Sequence, residues 1–431
     1  MQLFGFLREG DWAAVAGYLL YVGLLAGGYY YNVTFVQLGV LDLGTRLVGL
    51  SRPAVSIARA GLALVTAGVA IGAGVWMDRS GTSRDLFARL RLTFGVVAVQ
   101  FVVALVAPHI RSVPVFLVWL AVSGITIGLA VPVAFSLMVD FVPVPDRGYA
   151  AAAAAGGAFF AAALYPLEWR IGAFSLVMVV AMLPALPLLG AAAFGKLGFV
   201  NDLAARGQPY AEGRFTRDGN SLPLTSLRFL SFLVLLFGVF FVDSFGFLRI
   251  VEEPALVEAS WQSPDLAVHA TIAIVHLVGA GMAGVLYANF EEEWLFVWTF
   301  AVFAVTHLLY LVGFLQGPIA RGGIAEPLFY ALAVSFYTTL NFALWPDTAT
   351  PEGVGVRAAV GVGAAWLATF LSTALALYLK GAGVSVSEHF DLVNALALVL
   401  LLAALVMLYV RRAARAVRRH RASDEEVVAW R

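Results

Sequence analysis

Stretches of roughly 20 residues with scarcely a charge recur twelve times along this chain, and nothing constrains its fold more. They lie near 12–36, 55–77, 92–108, 114–139, 149–166, 172–195, 229–248, 266–287, 294–316, 325–345, 356–379 and 391–410. A helix rises ~1.5 Å per residue, so each run matches the ~30 Å hydrocarbon core of a bilayer. Short alternating segments with regular turn signals, which a membrane barrel needs, are missing, and the runs read as membrane helices. Composition agrees. Of 431 residues, 61% are hydrophobic and 13% charged, too apolar a chain for a soluble domain with a wet surface. With no cysteine there is neither a disulfide nor a thiolate metal site.

The basic residues set the topology. With the N-terminus cytoplasmic, 19 Lys and Arg fall inside: Arg8, Arg79, Arg84, Arg89, Arg91, Arg147, Arg357, five in a central loop and seven in the tail. Eight fall outside: Arg46, Arg52, Arg59, Arg111, Arg170, Arg249, Arg321 and Lys380. That bias places both termini in the cytoplasm of a multi-pass protein of the cell membrane. It also leaves no Arg or Lys inside the membrane. One loop runs against the bias: Asn289 to Glu293 has three acids and no base. Glu9 and Asp11 precede the first run, which is not the basic start of a cleaved signal, so the first helix is expected to stay.

The longest interruption, 196–228, is polar and turn-rich and divides the helices six and six. The expected organisation is an N-terminal six-helix half (1–195), a cytoplasmic linker (196–228), a C-terminal six-helix half (229–410) and a basic cytoplasmic tail (411–431). The halves look like copies. Gly74-Val75 recurs as Gly284-Val285 and Arg147 as Arg357, both at an offset of 210, and Tyr29 to Asn32 aligns with Phe240 to Asp243 at 211. Such weak internal symmetry is what parallel six-helix repeats leave in a sequence, with a solute site near the midplane between them.

Gly74 to Arg84, GVWMDRSGTSR, joins the second and third runs. Gly74, Asp78, Arg79, Gly81 and Arg84 resemble the loop between helices 2 and 3 of the major facilitator superfamily, G-x-x-x-D-R-x-G-x-[RK]-[RK], with Ser83 replacing the first of the two final basic residues. Pro143, Arg147 and Gly148 resemble its P-x-x-x-R-G turn before helix 5; Trp169-Arg170 with Phe174 resembles its W-R-x-x-F approach to helix 6; Gly49-Leu50-Ser51 resembles its L-G-L-S. The resemblance implies twelve transmembrane helices in two pseudo-symmetric halves, an all-α polytopic fold, with helices 1, 4, 7 and 10 lining a cavity. It also implies a latch in which Asp78 meets a helix N-terminus or a base across the seam, and Arg79 and Arg84 reach acids such as Asp140 or Asp146. Two departures speak against proton-driven drug export. Leu120 stands four before Gly124 where many members carry Arg, and the G-P-x-x-G-G pattern is missing from the fifth run.

An ionisable group within a membrane helix marks a functional site by default. Asp243, about two turns from the outer end of its run, is the leading candidate, for a cation, a proton or an amine of the solute. Asn32 is its repeat mate; Tyr30, or Tyr29 beside it, faces the same space unless it belongs to an interfacial belt. In the tenth run Tyr337 and Asn341 are solute hydrogen-bonders or interhelical glue. His276 and His307 are packed histidines or proton-sensitive groups, and the spacing of His269 and His276 does not chelate a metal. The expected function is a secondary or facilitative transporter of a small organic solute, working by alternating access with a coupled proton or sodium ion as candidate driver. It is expected to be a monomer without cofactor, metal or nucleic acid. Asp243 and the lack of a membrane-embedded base favour an amphipathic or cationic solute. Two alternatives stand: a non-transporting sensor or scaffold of the same fold, and an intramembrane enzyme whose histidines converge on Asp243.

Overall fold

The computed structural model describes residues 11–165, 169–205, 220–250, 263, 265–315 and 324–429. Arg8 and the centre of the linker, 206–219, lie outside them. The described residues form helices and no strand. The first six are α1 (Trp12–Leu47), α2 (Arg52–Ser80), α3 (Leu86–Val106), α4 (Val113–Phe141), α5 (Arg147–Leu164) and α6 (Ile171–Ala193). A short α7 (Gly198–Ala205) sits in the linker. Six more follow: α8 (Leu227–Ile250), α9 (Leu266–Asn289), α10 (Glu292–Leu315), α11 (Ala325–Asp347), α12 (Val354–Gly381) and α13 (Val386–Ala429). Eleven of the twelve long helices are long and apolar enough to cross a membrane. The other, α5, is rich in alanine, and its small side chains bury Ala151, Ala154, Ala155 and Ala158 in close helix contact.

Local chemistry sets the ends. Ser51 caps α2, accepting the Ala54 N–H at 3.4 Å, with Pro53 in the first turn. α2 stops at Gly81, whose φ of +77° is one that L side chains avoid. Asp85 then accepts the Ala88 N–H at 3.0 Å and starts α3 six residues ahead of its apolar run. That early start carries Arg89 into the interior, where it pairs with Asp140 at 2.6 Å. α1 extends well beyond residue 36 through widened π-helical turns at Tyr31–Leu38 and Leu43–Leu47. α13 runs past 410, so the tail is helical through Ala429.

The bundle is apolar outside as well as inside. Large side chains such as Val180 and Leu183 of α6 and Val399 and Leu402 of α13 lie more than half exposed, which suits a lipid solvent. The exception in polarity is α11, almost wholly buried and carrying Tyr330, Ser335, Tyr337, Thr338, Thr339 and Asn341 inward.

Two pseudo-equivalent seams join the halves. α2 packs along α12, and α9 packs along α5. Glycine makes both approaches possible. A methyl group on Gly74 would collide with Gly355 and Ala359 of α12; one on Gly284 would stand 2.7 Å from Ala152 Cβ and 2.9 Å from the Gly148 carbonyl oxygen of α5. The repeat at offset 210 thus marks the helix pairs that hold the halves together. The acidic loop is also accounted for. Arg411 of α13 reaches Glu292 at 2.6 Å and pairs with Glu293, Arg228 reaches Glu292 at 3.1 Å, and Arg412 reaches Glu291 at 3.5 Å.

Candidate functional site

A cavity with an empty volume of about 1350 Å³, part of it continuous with solvent, lies between the halves. Its walls come from α1 to α5 in one half and from α8, α11 and α12 in the other. The lining runs from mid-depth towards the end opposite the termini: it includes Gln37 on α1, Phe247 and Leu248 near the end of α8, and Thr373 on α12. Phe135, Phe159, Phe240 and Trp366 supply much of the apolar wall.

Asp243 lines this cavity from α8, and Asn32, its repeat mate, lines it from α1. Tyr330 donates its hydroxyl to Asp243 Oδ1, and Tyr337 donates to Oδ2 at 2.8 Å. A carboxylate out of bulk water needs such donors. Asn32 sits in the π-helical part of α1 and accepts from Gln37 Nε2 at 3.3 Å. Asn341 lines the cavity one turn below Tyr337 and accepts from Trp345 Nε1 at 2.9 Å. Tyr30 is a correction. It is not among the lining residues and donates to the Tyr165 carbonyl at 3.0 Å, while Tyr29 lines the cavity and meets the Thr338 hydroxyl at 3.2 Å. Neighbours on a helix point ~100° apart, so a choice within Tyr29–Tyr31 turns on helical phase.

Arg59 is the larger correction. It lies within α2 and lines the cavity, whereas the expectation places it outside with the loop bases. Its position follows from phase. Val55, Leu62 and Ala63, which share its stripe at i−4, i+3 and i+4, are all buried, and Ile57 and Leu64 face outward. Gln37 of α1 and Gln100 of α3 line the same cavity. None of these three, nor Tyr330, was a candidate from sequence. The signal for Arg59 is the one that marks Asp243, a charge inside an apolar run.

The histidines lie elsewhere. His276 Nδ1 meets Ser335 Oγ at 2.8 Å and its ring stacks on Phe159 with centroids 4.6 Å apart. His307 Nδ1 meets the Phe303 carbonyl oxygen at 2.8 Å, and His269 meets the carbonyl oxygens of Ala163 and Ser263, both at 2.6 Å. None of them bonds Asp243, so the convergence expected of an intramembrane enzyme is not found. Among the described residues no cluster of three or more potential metal ligands occurs.

The loop motif lies at the other end of the bundle, beside the helix ends nearest the termini. Asp78 accepts the N–H groups of Gly355 and Val356, at 3.0 and 2.9 Å, and the Ser83 hydroxyl at 2.5 Å. It therefore caps the first turn of α12 from the opposite half. Ser83, the departure from the motif, thus has a contact of its own. Arg84 meets Glu352 at 3.6 Å in the open, and Arg79 is exposed. Hydrogen bonding from Thr350 and the local backbone, with Arg84 beside it, holds the Glu352 carboxyl below the usual range. Asp140 takes Arg89 as a partner. At the second seam Arg147 of α5 pairs with Asp347 of α11 at 2.5 Å, both fully buried, and Tyr287 of α9 donates to the same carboxylate at 2.9 Å. Leu222 N–H to the Thr348 carbonyl oxygen at 2.8 Å ties the end of the linker to this cluster.

No protein-family model matches the sequence, and no curated protein matches it. Solved structures do. The proton:xylose symporter XylE of the major facilitator superfamily, bound to 6-bromo-6-deoxy-D-glucose, superposes with a TM-score of 0.64 at 15% identity, over 92% of this chain and 95% of that one. The human organic anion transporter MFSD10 (TETRAN) superposes with a TM-score of 0.59 at 15% identity, over 91% of this chain and 99% of that one. With twelve long helices among the described residues, two pseudo-equivalent seams and a cavity between the halves, this chain has the major facilitator fold.

Proposed function

We propose that the protein is a secondary transporter that moves a small organic solute across the cell membrane by alternating access. The observation that carries the reading is a mid-depth cavity lined by both halves, with polar latches across the seams at the end near the termini. The end latched by Asp78 and Arg147 is the cytoplasmic one, with both termini, and the cavity lining runs towards the other, where His269 of α9 meets the Ala163 carbonyl oxygen of α5; the arrangement is the outward-facing one. Asp78 and Arg147 hold it closed; Gly74 and Gly81 let the loop and helix 2 take their places. Rocking the halves breaks the Asp78–α12 and Arg147–Asp347 contacts and closes the opposite end.

In the cavity Asn32, Asp243, Tyr337 and Asn341 contact the solute, with Tyr29 in place of Tyr30. Asp243 is the one acid among the described lining residues, and it is the group through which a proton or sodium ion couples. His276 and His307 support the walls. The likeness to a sugar symporter and an organic anion transporter supports a solute of modest size. The test is a ligand-dependent melting screen of the purified protein, wild type beside Asp243→Asn, followed by flux in liposomes. A solute that stabilises the wild type, is carried into liposomes, and does neither with the variant is expected. Equal stabilisation of both proteins would move the site away from Asp243; binding without flux would leave a sensor.

A further inference from the structure

The charges of the cavity name the class of solute, taking the transport reading as given. Arg59 lines the cavity within a membrane-spanning helix, and among the described residues its guanidinium has no carboxylate, hydroxyl or carbonyl partner. The acid that shares the cavity, Asp243, accepts from two tyrosines instead and forms no ion pair with Arg59. A charged group within a membrane helix is costly unless it finds a partner or faces a water-filled cavity, and one that faces such a cavity marks a solute pathway. Arg59, half-buried, differs in this from the buried arginines. Arg89 has Asp140, Arg147 has Asp347, and Arg249 has the Val384 carbonyl oxygen at 2.8 Å. Amide side chains from the same half, Asn32, Gln37 and Gln100, line the space with it, and aromatic rings cover much of the rest.

We propose that Arg59 is the anion-binding group of the cavity, and that the solute is an organic monoanion, a carboxylate or sulfonate carried on an aromatic or similarly apolar body. A guanidinium presents two parallel N–H donors to such a group, a match an ammonium cannot make. One guanidinium neutralises one negative charge. Asp243 is taken up by two tyrosine hydroxyls, so Arg59 is the group that meets the anion, and a dianion such as a phosphate monoester would keep an unmatched charge. This replaces the cationic solute that the sequence favours when Arg59 is placed outside.

The test uses the purified full chain in detergent with benzoate, benzenesulfonate, benzamide and benzylamine, close in shape and different in charge. The two anions are expected to raise the melting temperature, and the neutral and cationic compounds to leave it unchanged. Arg59→Gln is expected to weaken the benzoate midpoint at least about tenfold, and Arg59→Lys to recover part of it. Benzamide or benzylamine stabilising as strongly as the anions, a benzoate shift that survives Arg59→Gln, or no shift with either anion overturns the proposal. If Arg59→Gln does not fold, the wild-type panel decides alone. Liposome flux separates this from the transport reading. Arg59-dependent anion binding without uptake leaves the anion site standing and removes transport. Uptake of an uncharged solute by wild type and Arg59→Gln alike, with no anion bound, does the reverse.

Discussion

At the scale of single residues, the buried pair Arg147–Asp347 is the most exposed to test. Both side chains are fully buried, and the carboxylate also takes the Tyr287 hydroxyl. Removing one partner strands a charge. Asp347→Ala is expected to cost about 3–5 kcal/mol, seen as a steep fall in melting temperature, while the double change Arg147→Met with Asp347→Leu recovers most of it. A single variant as stable as wild type would mean that water reaches the pair. Residue scale is also where the sequence was least legible. Asp243 and Asn32 stand out because a polar group in an apolar run has few benign explanations. Arg59 stands in such a run too, but only seven residues from Arg52, where a long side chain reads as snorkelling to the interface. Helical phase decides between them, and phase needs the neighbours: the buried stripe of Val55, Leu62 and Ala63 turns Arg59 inward. Tyr29 and Tyr30 pose the same problem at a spacing of one.

At the scale of elements, the Asp78 cap on α12 belongs to a contact between halves. Asp78→Ala leaves the Gly355 and Val356 N–H groups without their acceptor, a loss of about 1 kcal/mol, or roughly fivefold in an equilibrium. If that contact exists only in the closed arrangement, the loss shifts the population towards the open one. The chain has no native cysteine, so Ala359→Cys, buried on α12 beside Gly74, reports directly. Its labelling by a maleimide is expected to speed up severalfold with Asp78→Ala. An unchanged rate would show the cap to be structural in both states. The helices themselves were legible because span length and charge bias are coarse, robust signals, and the 210-residue offset singled out Gly74 and Gly284, the close points of the two seams. Helix ends were less so. α1 and α13 run on past their apolar cores because capping, π-helical turns and ion pairs such as Arg411–Glu292 outlast hydrophobicity.

At the scale of the whole molecule, the prediction concerns sidedness. Ser244 lines the cavity on α8, towards the end away from the termini. In sealed vesicles of known orientation, Ser244→Cys is expected to react with a membrane-impermeant reagent from the side opposite the termini, and to be protected by the solute. Reaction from the side of the termini instead would reverse the outward-facing assignment. One further consequence follows from the length of α13. Its 44 residues make a rod of about 66 Å, some twice the thickness of the hydrocarbon core. The arginine clasp to Glu291, Glu292 and Glu293 fastens that rod to the half that carries α8 and α10. The projecting end is thus a pointer on a pivot. If the halves tilt as proposed, a few degrees become several ångströms of sweep at its tip, and a spin label or fluorophore on the tail would register the motion without touching the cavity.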